Sequence, residues 1–382
     1  MGLLEQTTLM QLRTLSSHGV ADNVAQRSAM LAALSPYTMM FRRALRRGAI
    51  TVGLETISAI QSMRSLTEAA GLGVIFTLHH VKPDQRFAFE PNAHLSITPQ
   101  FLEIVIKEML VMDYEPITLD QVPERLKTKG GKRFFVMTLD DGNRDNAVHA
   151  APVFRRHQVP YTIFLTKGFI ERTRSMWWET AAHLIRNLSE FTFDFGQGAV
   201  NVPCNTLEQK RYTFDRMCWF VETLYEDEAV KRIDEAARAH GIDPLAIVAS
   251  ETMSADEIVA LSQDPLCHFG AHTVTHCDLG RATPERLTVE IEESIEAVTE
   301  LTGRRPPTFA YPYGFRSVFG EREQKAVLDA GLKIAVTTRP GVICSEHLAR
   351  TVALPRISLN GFYQKPRFVR ALVSGTAFKF FG

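Results

Sequence analysis

The sequence predicts an α/β protein whose parallel strands form a sheet or a barrel. Three observations carry the prediction. Short β-rich runs recur from Gly73 onward, amphipathic helical runs lie between several of them, and polar residues cluster just beyond the strands. Strands separated by helices run parallel, joined by right-handed crossovers. A chain of 382 residues holds one large domain with an appendage more easily than three small domains.

The strand candidates, in order, are GVIFTL (73–78), RFFVMTL (133–139), YTIFLT (161–166), CHFGA (267–271), PTFAY (307–311) and KIAVTT (333–338). The helix in ITPQFLEIVIKEMLVMDY opens on Thr98-Pro99, and the one in TPERLTVEIEESIEAVTELTG opens on Thr283-Pro284. Each is a cap followed by Pro at the first helical position. EREQKAVLDAGL reads as a third helix, and Gly303 and Gly331 fall where helix ends favour a left-handed residue.

Residues 1–70 read as a helical N-terminal extension, because LMQLRTLSS, NVAQRSAMLAAL and TISAIQSMRSLTEAAGL carry apolar residues at spacings of three and four. Three roles are open to these helices: packing on the α/β body, mediating a homodimer, or remaining mobile. FRRALRR (Phe41–Arg47) is basic and suits either a solvated amphipathic face or contact with a membrane surface or acidic partner. Residues 71–382 are expected to form the α/β body. The interval between YTIFLT and CHFGA is too long for one crossover and is read as a helical insertion over about 171–263, with FTFDFG as a short strand or turn within it.

Apolar residues make up 45% of the chain and charged residues 23%, as in a soluble globular protein. Lys+Arg and Asp+Glu are both 43, which argues against a nucleic-acid binder, since phosphates demand a basic excess. The first residues lack the basic start, apolar stretch and small-residue cleavage site of a secretory signal. No apolar run reaches the ~18 residues of a transmembrane span. Five cysteines without a CxxC pair make a disulfide framework unexpected and a reducing cytoplasm the simplest compartment, with FRRALRR allowing a peripheral membrane association.

The residues after the strands carry the chemistry. RFFVMTL leads into Asp140-Asp141-Gly142, CHFGA into HTVTH (His272–His276), GVIFTL into His79-His80, and PTFAY into Pro312-Tyr313-Gly314. Active sites of barrels collect at these carboxyl ends, where the strand-to-helix loops converge. His272 and His276 stand at i, i+4, so one helical turn would aim both imidazoles the same way. Two imidazoles and a carboxylate make a catalytic zinc site; two histidines at a helix cap are the plainer alternative. Adjacent carboxylates repel, so Asp140-Asp141 either shares a cation or proton or forms an ordinary turn and cap. Cys277 follows the second histidine, but its side chain should point away from their common face. Trp177 and Trp178 open the insertion, either as an exposed stacking wall for a sugar or as a core anchor.

The stretches TLDDG, HTVTH and FAYPYG resemble the first three motifs of the polysaccharide deacetylases, the NodB-homology family or carbohydrate esterase family four, which includes chitooligosaccharide deacetylases. The similarity extends from about Phe76 to Ser358. It implies a distorted (β/α) barrel of the NodB-homology type and a hydrolase removing N-acetyl, or O-acetyl, groups from a sugar or oligosaccharide. It implies Asp140 as general base, Asp141, His272 and His276 as ligands of Zn²⁺ or another divalent transition metal, and the Tyr313 amide as oxyanion donor. The resemblance departs at three points. No Arg precedes the Tyr311-Pro312 pair, AVTTRPG lacks the fourth motif's Asp, and LPRISLNGF lacks the fifth motif's His. Arg339 or Arg356 is therefore expected to orient the base, and His80 is the candidate for general acid, the alternative being a structural role bonding a neighbouring loop. Other readings of the same residues are a hydrolase of a non-sugar amide or imide, or a sugar-binding protein without catalysis.

Overall fold

The structure is a computed structural model; it describes residues 36–63, 71–84, 87–128, 130–314 and 318–381. The expected helices LMQLRTLSS and NVAQRSAMLAAL lie outside these residues. Of the third expected helix, TISAIQSM ends a single α-helix, α1 (Pro36–Met63), which also contains FRRALRR, and the segment 64–70 lies outside the described residues. Among the described residues no helix is long and apolar enough to cross a membrane.

The chain divides into two compact units: Ala181–Ile242 with the chain up to Arg46, and Arg47–Thr180 with Asp243–Gly382. The second unit is the barrel. Its strands are β1 (Gly73–Leu78), β2 (His80–Val81), β3 (Ser96–Ile97), β4 (Glu115–Pro116), β5 (Phe134–Leu139), β6 (Tyr161–Leu165), β9 (Cys267–Ala271), β10 (Thr308–Ala310), β11 (Ile334–Pro340) and β12 (Leu354–Ser358). The parallel order β1-β12-β11-β10-β9-β6-β5 closes on itself through a β1–β5 pairing, with β4 added to the start of β5. Seven parallel strands therefore form a barrel, one of the two arrangements that the alternation of strands and helices left open and the one that the family resemblance implied.

Each strand of the ring is buried on both faces, which is why its sequence runs nearly continuously apolar. Inside and outside still alternate. Ile75, Val136, Phe164, Ala310, Val336 and Leu354 share one inner cluster. Val74, Phe76, Leu78, Met137 and Leu139 pack outward with Phe101, Leu102, Val105 and Ile106 of α2 (Pro99–Val111). Glycine is needed at Gly270, where a Cβ would stand 2.4 Å from the Phe164 ring. Thr98 and Thr283 cap α2 and α11 (Pro284–Thr302) with hydrogen bonds to the amides of Phe101 and Arg286.

In the other unit, β7 (Glu190–Asp194) and β8 (Ala199–Pro203) form an antiparallel hairpin, so FTFDFG is a strand with a partner that its sequence did not announce. Helices α7 (Leu207–Thr223) and α8 (Glu226–Ala239) follow. Phe193, Phe195 and Phe220 meet edge to face there. The ammonium of Lys210 donates to the carbonyls of Ile185, Arg186 and Leu188, closing the end of α6 (Trp177–Asn187).

Candidate metal centre

Strand parity decides which polar side chains enter the barrel mouth. On β1 the inward series Ile75, Thr77 continues to His79, and on β5 Val136, Thr138 continues to Asp140, because the two strands pair Ile75 with Val136 and Thr77 with Thr138. His80 inherits the opposite face. On β12, Arg356 shares the face of Leu354.

Asp141, His272 and His276 come together as expected: one ligand atom from each lies within 4.8 Å of the others, and all three residues are buried. Asp141 Oδ1 is 3.5 Å from His272 Nε2 and 3.2 Å from His276 Nε2. The Nδ1 of His272 is 2.7 Å from the Ala310 carbonyl, which places its proton there and leaves the Nε2 lone pair toward Asp141. His276 Nδ1 has no hydrogen-bond partner.

The backbone that delivers these groups differs from the expected helical turn. His272–His276 is a loop, with Thr273 at φ +66° and His276 at φ +55°. Asp141 (φ +73°) and Tyr313 (φ +59°) are also left-handed. Seven described non-glycine residues have positive φ, and these four all belong to the site. Such conformations persist only where surrounding contacts over-determine them. One contact is the Thr273 hydroxyl, which accepts the His276 amide at 2.9 Å.

Asp140 sits beside the triad with its carboxylate held by Arg356, 2.8 Å from Nη1 and 2.7 Å from Nη2. Thr77 donates to Asp140 Oδ2 at 3.3 Å, and Arg356 also reaches the Thr337 carbonyl and the Thr138 hydroxyl. Arg356, not Arg339, is thus the arginine on Asp140; Arg339 lies half-buried near the end of β11. Burial pushes the Asp140 carboxyl up, but Arg356 outweighs it and leaves the group below the usual carboxylate range. Burial likewise opposes ionisation of Asp141, and the two imidazoles hold its carboxyl well below the usual range. His272 loses basicity through burial and regains more from Asp141 and Asp140, ending above the ordinary value.

The structure separates the two adjacent histidines. His80 is buried, its Nδ1 2.7 Å from Asp145 Oδ2, while the other Asp145 oxygen accepts the Val81 amide. It is engaged away from the triad and fits the structural alternative. His79 is the histidine that faces Asp140: its Nε2 is 3.9 Å from Asp140 Oδ2, and its carbonyl accepts from Asn143 and Asn146. The signal in the sequence was parity, since His79 follows Ile75 and Thr77 at a period of two.

Trp177 and Trp178 are buried, each 8% exposed, so neither is an exposed sugar-stacking wall. Trp178 lies 4.9 Å from His276 and 6.0 Å from Phe169, ring to ring. Trp177 donates its indole N–H to the Tyr313 hydroxyl at 3.0 Å, and the Tyr313 ring meets His276 edge-on. Trp178 thus packs on His276, and Trp177 on Tyr313. Cys277 is buried and outside the ligand group.

The donor set fits a divalent transition metal. It offers one carboxylate and two imidazoles, with Asp141 Oδ1 buried and without a hydrogen-bond partner. The cluster stands at the carboxyl ends of parallel barrel strands, where barrel enzymes place their active sites. The model of the polysaccharide deacetylase family matches residues 127–335, more than half of the chain, and the chain belongs to that family. Among solved structures, the Streptococcus pyogenes deacetylase PplD, in complex with acetate, is 15% identical with a TM-score of 0.52, covering 78% of this chain and 97% of its own. IcaB from Ammonifex degensii is 14% identical with a TM-score of 0.49, covering 79% and 97%. The polysaccharide deacetylase BC0361 from Bacillus cereus is 15% identical with a TM-score of 0.49, covering 78% and 68%. At these identities the likeness to PplD speaks for the fold. A comparison with curated protein sequences gives no match.

Proposed function

We propose that this protein is a metal-dependent N-deacetylase of an acetylated sugar or oligosaccharide, with Asp141, His272 and His276 holding Zn²⁺ or a related divalent ion. The observation that carries the reading is the buried Asp-His-His cluster with the Arg356-bound Asp140 adjoining it. A divalent ion held there supplies Lewis acidity, acidifying water and polarising an acyl carbonyl.

The chain's own groups then divide the proton work. Asp140, kept ionised and oriented by Arg356, accepts a proton from the water that attacks the acetamide carbon. The amide of Tyr313 donates to the developing oxyanion; Pro312 before it has no N–H to offer. His79, 3.9 Å from Asp140 Oδ2, delivers a proton to the departing nitrogen, so that amine and acetate leave together. Burial keeps the free His79 imidazole below its ordinary basicity, and Asp141 and Asp140 oppose this; the proton it delivers is the one Asp140 took from water, so both groups end the cycle as they began it. Trp178, Phe169 and Tyr313 shield His276 from bulk water.

The test measures acetate release from a panel of N-acetylated oligosaccharides alongside metal content by elemental analysis. The reading expects about one metal per chain, activity abolished by chelation, and both lost in Asp141→Asn. Purified protein without stoichiometric metal, or an Asp141→Asn variant with full metal content, overturns it. A panel in which only non-sugar amides or imides turn over moves the assignment to that substrate class.

A further inference from the structure

We infer that Glu290, on α11, is a positioning residue for the metal centre, holding the loop between the two histidines in the shape that brings both to Asp141. The inference rests on the metal-centre reading above.

Glu290 is 2% exposed and spends its carboxylate on that loop. Oε2 accepts the amides of Val274 (2.9 Å) and Thr275 (2.8 Å), and Oε1 accepts the Thr275 hydroxyl at 2.5 Å. Arg286, one turn earlier on α11, donates to Glu290 Oε1 at 3.3 Å and to Thr275 Oγ1 at 3.1 Å. The carbonyl side of the loop is held from the opposite direction. The amides of Lys167 and Gly168 donate to the carbonyls of Thr273 (3.2 Å) and Val274 (2.8 Å), and Thr166 donates to that of His272 (3.0 Å).

Backbone amides and the Thr166 hydroxyl therefore secure the carbonyls, whereas a single side chain, that of Glu290, secures the Val274 and Thr275 amides. Those amides belong to a segment with left-handed residues at Thr273 and His276, a conformation costly for a β-branched residue. Charge-assisted bonds from a carboxylate are about twice as strong as neutral ones. Removing Glu290 leaves two peptide N–H groups without their acceptor, and the loop relaxes toward a shape that no longer presents both imidazoles. Loss of an outer group that orients metal ligands lowers metal affinity about 10–100-fold.

Metal-free protein, titrated with Co²⁺ and followed by its visible absorption, reads affinity and ligand geometry without any substrate. The variants are Glu290→Ala, Glu290→Gln, and Glu323→Gln as control. Glu323 is another buried helix carboxylate, 4% exposed, that accepts the Gly320 amide away from the ligand loop. Expected are at least tenfold weaker Co²⁺ binding and an altered spectrum for Glu290→Ala, and a smaller loss for Glu290→Gln, which keeps one acceptor oxygen. Glu323→Gln should bind Co²⁺ like wild type even where its melting temperature drops. Wild-type affinity and spectrum in Glu290→Gln, or an equal loss in Glu323→Gln, overturns the positioning role; the Gln variant decides if the Ala variant does not fold. Wild-type protein that takes up no Co²⁺ overturns the metal centre and this inference with it.

Discussion

Arg356 grips Asp140 with a two-pronged contact, 2.8 Å to one carboxylate oxygen and 2.7 Å to the other, where neither side chain meets solvent. The guanidinium fork matches a carboxylate in a way a lysine ammonium does not. The pair also solves a folding problem: each charge would be costly in the barrel interior without the other. Arg356→Ala is expected to destabilise the fold by about 3–5 kcal/mol, the cost of stranding a buried charge. Arg356→Lys should retain more of the stability and still lose turnover, because a point charge does not orient the base. Urea denaturation and acetate release measured on both variants check this.

The two neighbouring histidines should separate cleanly. His79→Ala is expected to lower kcat by about 10²–10⁴, the range for loss of a proton-transfer group, with little change in melting temperature. His80→Ala should instead lower the melting temperature, since it breaks the buried contact with Asp145. The reverse pattern would return the proton-transfer role to His80.

The Asp145–His80 pair gives stability a pH signature. Burial lowers the basicity of His80, but Asp145 outweighs it and raises the imidazole above its ordinary 6.5. Burial raises the Asp145 carboxyl, and His80 outweighs it, leaving the group below its ordinary 3.8. The histidine's contribution is complete below 6.5 and fades as pH rises through the higher folded value. The aspartate's is complete above 3.8 and fades as pH falls through the lower folded value. The melting-temperature gap between wild type and Asp145→Asn should therefore be widest between about pH 4 and 6.5 and narrow at alkaline pH. A gap that widens as pH rises above neutrality would contradict the pairing.

Trp178→Ala is expected to cost about 3–5 kcal/mol, as large aromatic truncations in cores do, and to weaken metal binding by freeing the His276 ring. Trp177→Phe removes a single hydrogen bond to Tyr313, so about 0.5–1.5 kcal/mol should be lost. Chemical denaturation with and without added Zn²⁺ reports both.

Much of this site could be read along the chain because metal ligation and proton transfer require particular side chains, and barrel strands deliver them at recognisable places. TLDDG and HTVTH stand directly after apolar runs, so Asp140, Asp141, His272 and His276 could be singled out from order and chemistry, and the family resemblance then assigned their roles. The strand GVIFTL was equally visible. Of its two histidines His80 is the one expected for proton transfer, whereas the face of β1 that its pairing with β5 turns inward runs through Ile75 and Thr77 to His79.

By itself the sequence determined the α/β class, the parallel strands and the caps on α2 and α11, which follow from local pattern, and it singled out the four residues at the centre, whose roles came from their likeness to a family's motifs. Only the tertiary structure decided that Arg356 rather than Arg339 reaches Asp140, that Trp178 walls His276 instead of facing a sugar, and that the HTVTH segment is a loop held by Glu290 rather than a helical turn. The physical reason is shared by all three. Each depends on groups far apart in the chain, brought together by barrel closure, and no short-range periodicity encodes which distant partner a buried charge or a strained loop will find.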